Sequence, residues 1–376
     1  THSFPTRRSS DLNFKKQIKI NMDRNKKDNR PLMVSIRCTA YNQEEQIREC
    51  LDGFVMQQTN FRFEAVVHDD ASTDGTAAII KEYAEKYPDI IKPILETENQ
   101  YSKHDGSLER IMNEAATGKY VAWCEGDDCW IDPMKLQKQV DYLESHPDCM
   151  LVHTDMEVKD VNTGEVLHGK WKKQKNFNLI QRNFGAKLIP LILAGEYSVT
   201  TLTVCARRTI IEQCEKEGLV PLGREFLMGD TTRWIALASK GEIHLIPDVC
   251  ACYHVVGESA THSKNYSNVI TFYVSCFKMI DYVVNTYKLS NSEKEKAVQE
   301  YIYFLLRDVY LDKKDFLQEV KDRILKGRKL NFCNALLLKT MSSSRVTKKI
   351  IHIGVRGYKY ISHQVNFGLA KYFGIV

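Results

Sequence analysis

Three acids crowd into four residues at Glu125-Gly126-Asp127-Asp128, directly after the apolar run Val121-Ala122-Trp123-Cys124. Close carboxylates repel one another and take up protons unless a cation or hydrogen-bond donors neutralise them. A hard divalent cation that keeps some waters and shares its remaining positions with phosphate oxygens would do so. The same residues could equally form an acidic turn ahead of a helix, since Asp132-Pro133 follows and Asp favours helix starts. The elements around the turn decide between the two.

Residues 31–38 read as a first strand, ended by Thr39-Ala40-Tyr41-Asn42. Residues 44–57 follow as an amphipathic helix with Ile47, Cys50, Leu51, Phe54 and Val55 on one face. A second strand over 63–68 ends at Asp69-Asp70, a helix runs to about residue 87, and 90–95 is a third strand. A helix over 108–116, ended by Gly118, leads to a fourth strand at 120–124. This alternation of helices with apolar strands predicts an α/β fold, a mostly parallel sheet flanked by helices on both faces. Ligands of such sheets sit in the crevice at the carboxyl ends of the strands. Three of the four strands end there in Thr39, Asp70 and Asp127-Asp128, which favours a binding site over a plain turn. Further on, 133–144 reads as a helix, 150–153 as a strand, and 160–185 as a long polar loop over the site. Residues 198–206 read as a strand facing the second half of the crevice, and 241–246 as a strand after the helix that follows Gly229-Asp230. Beyond about residue 265 the pattern changes to long amphipathic helices, which predicts a domain boundary between 31–265 and a helical region at 266–376.

Four stretches together carry a resemblance. They are TAYNQEEQIRECLDGFVMQQ (39–58), FEAVVHDDASTDGT (63–76), ATGKYVAWCEGDDCWIDPMKLQKQVDYLESHPD (116–148) and MGDTTRWIALASKGEIHLIPDV (228–249). In this order and spacing they resemble the inverting family-2 glycosyltransferases of the GT-A fold, most of all bacterial members that build surface polysaccharides. The resemblance implies a Rossmann-like GT-A domain and transfer of a sugar from a nucleoside-diphosphate sugar to a saccharide or lipid-linked hydroxyl. A UDP-sugar is the first choice of donor. Asp127 and Asp128 match the acidic motif that holds Mn²⁺ or Mg²⁺ against the diphosphate. Asp70 matches the contact to the nucleoside base, and Thr39 with Tyr41 lies on the loop that lines the nucleoside pocket. Asp69 is expected to support that turn. Asp230 falls where the family places its catalytic base; the alternative for an Asp there is a helix N-cap.

Some residues depart from the pattern or stay open. Glu125 is an extra acid, read as support for its neighbours. Related enzymes often show Tyr-Arg where this chain has Tyr253-His254. His254 or His262 could complete a metal shell, although a lone His is more often an ordinary polar residue. Arg110 could approach the diphosphate or simply face solvent. Cys124 and Cys129 flank the acids, and Cys250 and Cys252 stand two apart. Neither set has the two-pair spacing of a structural zinc site, so core or edge cysteines are expected.

The chain has 376 residues, 43% of them hydrophobic and 27% charged, which suits a globular protein with a sizeable core. Its 11 cysteines lack a disulfide framework and predict reduced thiols in a cytoplasm. Neither a transmembrane run nor a signal-peptide h-region is expected. Residues 1–12 look foreign, and the leader as far as residue 30 reads as disordered. Residues 1–30 carry nine Lys/Arg against three Asp/Glu, and 323–376 carry eleven against none, which leaves 33 basic against 45 acidic residues between them. An acidic body argues against a nucleic-acid partner, and a basic end could meet an anionic membrane at the inner face of the cell. From 345 to 373, Val346, Ile350, Ile353, Ile361, Val365 and Leu369 recur near helical spacing. That pattern fits either a membrane-surface helix or one packed on its own domain.

Three other functions compete. A sugar-1-phosphate nucleotidyltransferase would want a Gly-rich basic loop after the first strand, and Thr39-Ala40-Tyr41-Asn42 is not one. A glycoside hydrolase uses paired carboxylates but needs no nucleotide pocket. A catalytically inactive nucleotide-sugar-binding or scaffold protein is argued against by the joint presence of Asp70, Asp127, Asp128 and Asp230.

Overall fold

A computed structural model describes residues 30–169, 185–221, 226–255, 265–308 and 318–340. Strand β1 (Leu32–Ala40) is buried from Val34 to Cys38 and leads into α1 (Ile47–Val55). Ile47, Cys50, Leu51, Phe54 and Val55 line the buried face of α1, at the spacing that brings successive turns to one side. β2 (Arg62–Asp69), α2 (Thr76–Lys86), β3 (Ile91–Leu95), α3 (Ser107–Ala115) and β4 (Tyr120–Trp123) continue the alternation. Pairing across β3, β2, β1 and β4 is parallel, because each crossover helix returns the chain to the starting end of the strands. All these strands therefore end on one side. Gly118 lets the chain enter β4 close against β1, since a Cβ there would lie 2.5 Å from the Ser35 amide nitrogen.

β5 (Cys129–Trp130), α4 (Lys135–Ser145), β6 (Cys149–Asp160), β7 (Val166–Leu167), α5 (Ile189–Leu193) and β8 (Cys205–Arg207) follow. Then come α6 (Arg208–Lys216), α7 (Gly229–Lys240) and β9 (Glu242–Val255). The sheet order is β3-β2-β1-β4-β8-β6-β9-β5, with β7 on the flank of β6. β8 runs antiparallel to β4 and β6, β9 runs parallel to β6, and β5 pairs antiparallel with β9. The result is the expected α/β sheet flanked by helices, with antiparallel strands entering only beyond β4.

Two local expectations change. β6 and β9 are much longer than the 150–153 and 241–246 segments expected, and they pair over nearly their whole length with register shifts around Asp155. Residues 198–206 hold only the short β8, preceded by a 3₁₀ turn at Thr201–Thr203. Side chains claim the carbonyls there. The Trp130 indole donates to Leu202 O (2.8 Å), Gln139 to Thr203 O (2.8 Å), and the Thr203 hydroxyl to Thr200 O (2.6 Å). Backbone groups satisfied in this way need no strand ladder.

The chain divides into two compact units. One comprises the described residues up to Ile192, with those in Tyr197–Glu225 and Gly229–Gly257, and holds the sheet. The other comprises Leu193–Glu196, Phe226–Met228 and the described residues after Glu258. It is helical: α8 (Tyr266–Tyr287), α9 (Asn291–Asp308), a π-helical turn (Lys321–Leu325) and α10 (Phe332–Thr340). Ile270, Met279, Ile280, Val283, Ala297, Ile302 and Ile324 are wholly buried within it. Asn334 on α10 donates to both the backbone and side-chain oxygens of Gln299 on α9 (2.9 and 2.7 Å). The leader before Arg30, residues 170–184 of the polar loop, His262 and the basic tail after residue 340 lie outside the described residues.

Candidate active site at the strand ends

The acidic turn is an extension of the β1–β4 pairing. Cys124 N–H donates to Arg37 O (3.1 Å) and Gly126 N–H to Thr39 O (3.0 Å), so the turn is drawn alongside the end of β1. Glycine is required at 126 by space. A Cβ would come within 2.5 Å of Gln43 Oε1 and 2.9 Å of Ala40 Cβ. Asp128 N–H then closes the turn on Glu125 O (3.1 Å).

The carboxylates stand in a common field. Asp128 is buried, and its Oδ1 accepts the His254 backbone N–H (2.9 Å). Burial raises the pKa of both aspartates, and the charges of Asp127 and Glu125 push Asp128 higher still. Burial, with the charges of Asp127 and Asp230 beside it, pushes the Glu125 carboxyl up to about 7. Tyr253 shares this environment. Burial and then the charges of Asp128, Asp127 and Glu125 push its phenol up to about 12. An all-oxygen donor set carrying this much unmet negative charge fits a hard divalent cation, with Asp127 and Asp128 as the residues to hold it.

Two strand-end loops stand beside the turn. Asn42 after β1 and Ala71 after β2 both adopt left-handed backbone (φ 52° and 62°), a conformation that side chains other than glycine resist. Side chains stitch the loops together: Thr76 Oγ1 accepts Gln43 N–H (2.8 Å), Asn42 Oδ1 accepts Thr73 N–H (2.8 Å), and Glu44 accepts Gly75 N–H (2.6 Å). Thr39 is half-buried and Tyr41 is 48% exposed on the first loop. Asp70 is buried at the end of β2, its N–H bonded to Ala40 O (2.9 Å). Its two carboxylate oxygens accept Gln100 N–H (2.6 Å) and Tyr101 N–H (3.0 Å). Asp69 Oδ2 accepts Ser72 N–H (3.1 Å) and so supports the turn.

Asp230 is the second residue of α7 rather than a residue before the helix. It is half-buried, with Oδ1 accepting its neighbour's N–H at Thr231 (2.8 Å) and Oδ2 3.4 Å from the Thr201 hydroxyl. Its charge is felt at Glu125, so it belongs to the same cluster as the acidic turn. Arg110 points elsewhere: it bonds Asp105 O (2.7 Å) and is half-exposed. His254 turns Nδ1 to the Asp127 carbonyl (2.7 Å), which can only accept, so Nδ1 carries the proton. Its Nε2 faces Glu49.

Sequence reasoning missed the support beneath the site. Arg37 of β1 and Arg233 of α7 both donate to Glu109 Oε2 of α3 (2.9 Å each). The two guanidinium groups lie 6.0 and 5.8 Å from the Trp123 ring at the end of β4. Arg37 also donates to Asn113 (2.6 Å). A charged residue in the middle of an otherwise apolar strand was the available signal for this cluster.

Residues 35–194 match the family model described as glycosyl transferase family 2. The chain is 35% identical over 234 residues to the uncharacterized protein Rv1520 of Mycobacterium tuberculosis (strain ATCC 25618 / H37Rv), covering 61% of each, so it spans about three fifths of that relative's length. It is 39% identical over 127 residues to the putative glycosyltransferase EpsE of Bacillus subtilis (strain 168), covering 34% of this chain and 44% of that one. A 113-residue stretch is 29% identical to an Escherichia coli UDP-Glc:alpha-D-GlcNAc-diphosphoundecaprenol beta-1,3-glucosyltransferase, WfaP, covering 30% and 42%. Among solved structures, Staphylococcus aureus TarS 1-349 superposes with a TM-score of 0.53 at 18% identity, covering 88% of this chain and 92% of that one. The mannosyltransferase PcManGT of Pyrobaculum calidifontis, in complex with GDP-Man and Mn²⁺, gives 0.50 at 16% identity and 92% of both chains. These structural likenesses establish a shared fold.

Proposed function

We propose that this chain, matched over residues 35–194 by glycosyl transferase family 2, is an inverting glycosyltransferase acting on a nucleoside-diphosphate sugar, with 31–265 as its transferase domain. The observation that carries the reading is the Gly126 N–H bond to Thr39 O. It sets the acidic turn against the end of β1 while Asp70 stands at the end of the neighbouring β2. A nucleoside over the β1 and β2 ends would thus have its diphosphate beside Asp127 and Asp128. Tyr41, exposed on the first loop, offers a ring face to the base.

Asp127 and Asp128 would hold Mn²⁺ or Mg²⁺, which as a Lewis acid neutralises charge on the departing diphosphate. Asp230 accepts the proton of the acceptor hydroxyl as that oxygen attacks the anomeric carbon. The bond from that carbon to the phosphate oxygen breaks on the opposite side, its electron pair leaves with the nucleoside diphosphate, and the anomeric configuration inverts. Thr201, 3.4 Å from Asp230 Oδ2, helps to orient the carboxylate. The acceptor we favour is a saccharide or lipid-linked hydroxyl of bacterial polysaccharide synthesis, in keeping with the description of the E. coli relative.

Thermal shift with Mn²⁺ against UDP-, GDP- and dTDP-sugars tests the donor assignment. One nucleotide class, UDP first, should raise the melting temperature by several degrees, and binding at about a hundred times Kd contributes about 2.7 kcal/mol. No stabilisation by any of them would overturn it.

A further inference from the structure

Strand β5 is only two residues long, and its Cys129 stands directly opposite Cys252 of β9. His254 lies two residues beyond Cys252 and therefore on the same face of the strand. Cys129, Cys252 and His254 are 1%, 2% and 3% exposed, and one ligand atom from each lies within 4.8 Å of the others. Neither cysteine has a part in the sugar-transfer reading, and His254 touches that site only through its backbone N–H to Asp128 and its Nδ1 to the Asp127 carbonyl.

The imidazole is already set for coordination. Its Nδ1 proton is committed to the Asp127 carbonyl (2.7 Å), which leaves Nε2 as the nitrogen open to a metal. That fixed tautomer, held by a backbone carbonyl, is the arrangement that orients metal-bound histidines. Nε2 is buried, has no hydrogen-bond partner, and lies 3.7 Å from Glu49 Oε2. A proton or a metal ion on Nε2 would meet the Glu49 carboxylate there. Glu49, on α1, also takes the Cys129 thiol (Sγ to Oε1 3.6 Å) and has the Lys159 ammonium 3.5 Å from Oε2.

We propose that Cys129, Cys252 and His254, with Glu49 at the fourth position, form a zinc site distinct from the Asp127–Asp128 pair. Two thiolates, an imidazole and a carboxylate make a borderline-soft set that suits Zn²⁺, whereas Mn²⁺ and Mg²⁺ prefer the all-oxygen pair. Tetrahedral zinc with the usual bond lengths spaces its ligand atoms roughly 3.5–3.8 Å apart, so the Cys129, Cys252 and His254 atoms, within 4.8 Å of one another, need close by no more than about 1 Å. Binding replaces the two thiol protons, which leave to solvent, and oxidises nothing. The metal ties β5 to β9 and secures the His254 bond to the acidic turn. Sequence spacing hid it because each cysteine comes from a different pair, Cys124/Cys129 and Cys250/Cys252.

The test uses the full chain, produced with added zinc and isolated anaerobically without chelators. Elemental analysis should find about one zinc per chain, unaffected by excess Mn²⁺. Replacement by Co²⁺ should give thiolate-to-cobalt charge-transfer bands and the intense visible bands of tetrahedral cobalt. Cys129→Ser and Cys252→Ser should each lose those bands and most of the zinc, while Cys250→Ser keeps both. The wild-type cobalt spectrum decides the matter even where a variant fails to fold. Absence of zinc and of thiolate bands in the wild-type chain would overturn the site. So would zinc retained by both variants, or a Cys129–Cys252 disulfide in the anaerobic protein.

Discussion

Asp230 stands in the first turn of α7 with one oxygen on the Thr231 N–H and the other near the Thr201 hydroxyl. A carboxylate used only to cap a helix would spend itself on N–H groups deeper in the first turn. Asp230 instead touches its immediate neighbour and keeps an oxygen directed toward Thr201. We therefore expect Asp230→Asn to keep nucleotide-sugar binding and lose transfer by about 10²–10⁴-fold. Donor titration by calorimetry beside turnover separates the two, and unchanged turnover would refute the assignment. Glu125 was legible as an extra acid but its setting was not. Only the fold brings it within the field of both Asp127 and Asp230, where burial and then their charges push its carboxyl up to about 7. Gly126 was readable only as part of a motif. Its physical reason is the approach of Ala40 at the end of β1 and Gln43 in the loop after it, more than eighty residues earlier in the chain.

Between elements, Glu109 is the tie that holds α3, β1 and α7 in place below the acidic turn. Arg37 and Arg233 are 5% and 8% exposed, whereas Glu109 is 36% exposed. Removing the carboxylate leaves two like charges together and largely desolvated. Breaking a fully buried pair costs about 3–5 kcal/mol, and the 36% exposure of Glu109 reduces this, so Glu109→Gln should cost about 2–3 kcal/mol. Chemical denaturation of the two proteins measures it, and a difference below about 0.5 kcal/mol would contradict it. Against the opposing effect of burial, Arg233 and Arg37 hold the Glu109 carboxyl down at about 2. A depressed carboxyl stabilises above its unfolded value and loses that contribution as pH falls through the folded one. The wild-type chain should thus lose this stability between about pH 4.5 and 2, and Glu109→Gln should lack that part of the acid slope. The strand–helix alternation through β4 was legible because each element has its own hydrophobic period. The region 198–206 was not, because Trp130 and Gln139 claim carbonyls that a local pattern assigns to a ladder.

At the scale of the molecule, a sheet-bearing unit carries the candidate site and a second unit is helical. Among the described residues no helix is long and apolar enough to cross a membrane. For the basic segment after residue 340 we propose contact with an anionic membrane surface, where a lipid-linked acceptor would be found. A chain ending at residue 340 should then fail to float with anionic liposomes while still hydrolysing donor; equal flotation would rule this out. The central claim is sugar transfer supported by the acidic turn. Its most direct measurement is nucleoside diphosphate released from the stabilising donor in the presence of Mn²⁺, for the wild-type chain and for Asp128→Asn. The account predicts Mn²⁺-dependent release by the wild type and a loss of at least about a hundredfold in the variant. Release that needs no Mn²⁺, or that Asp128→Asn sustains undiminished, would contradict it.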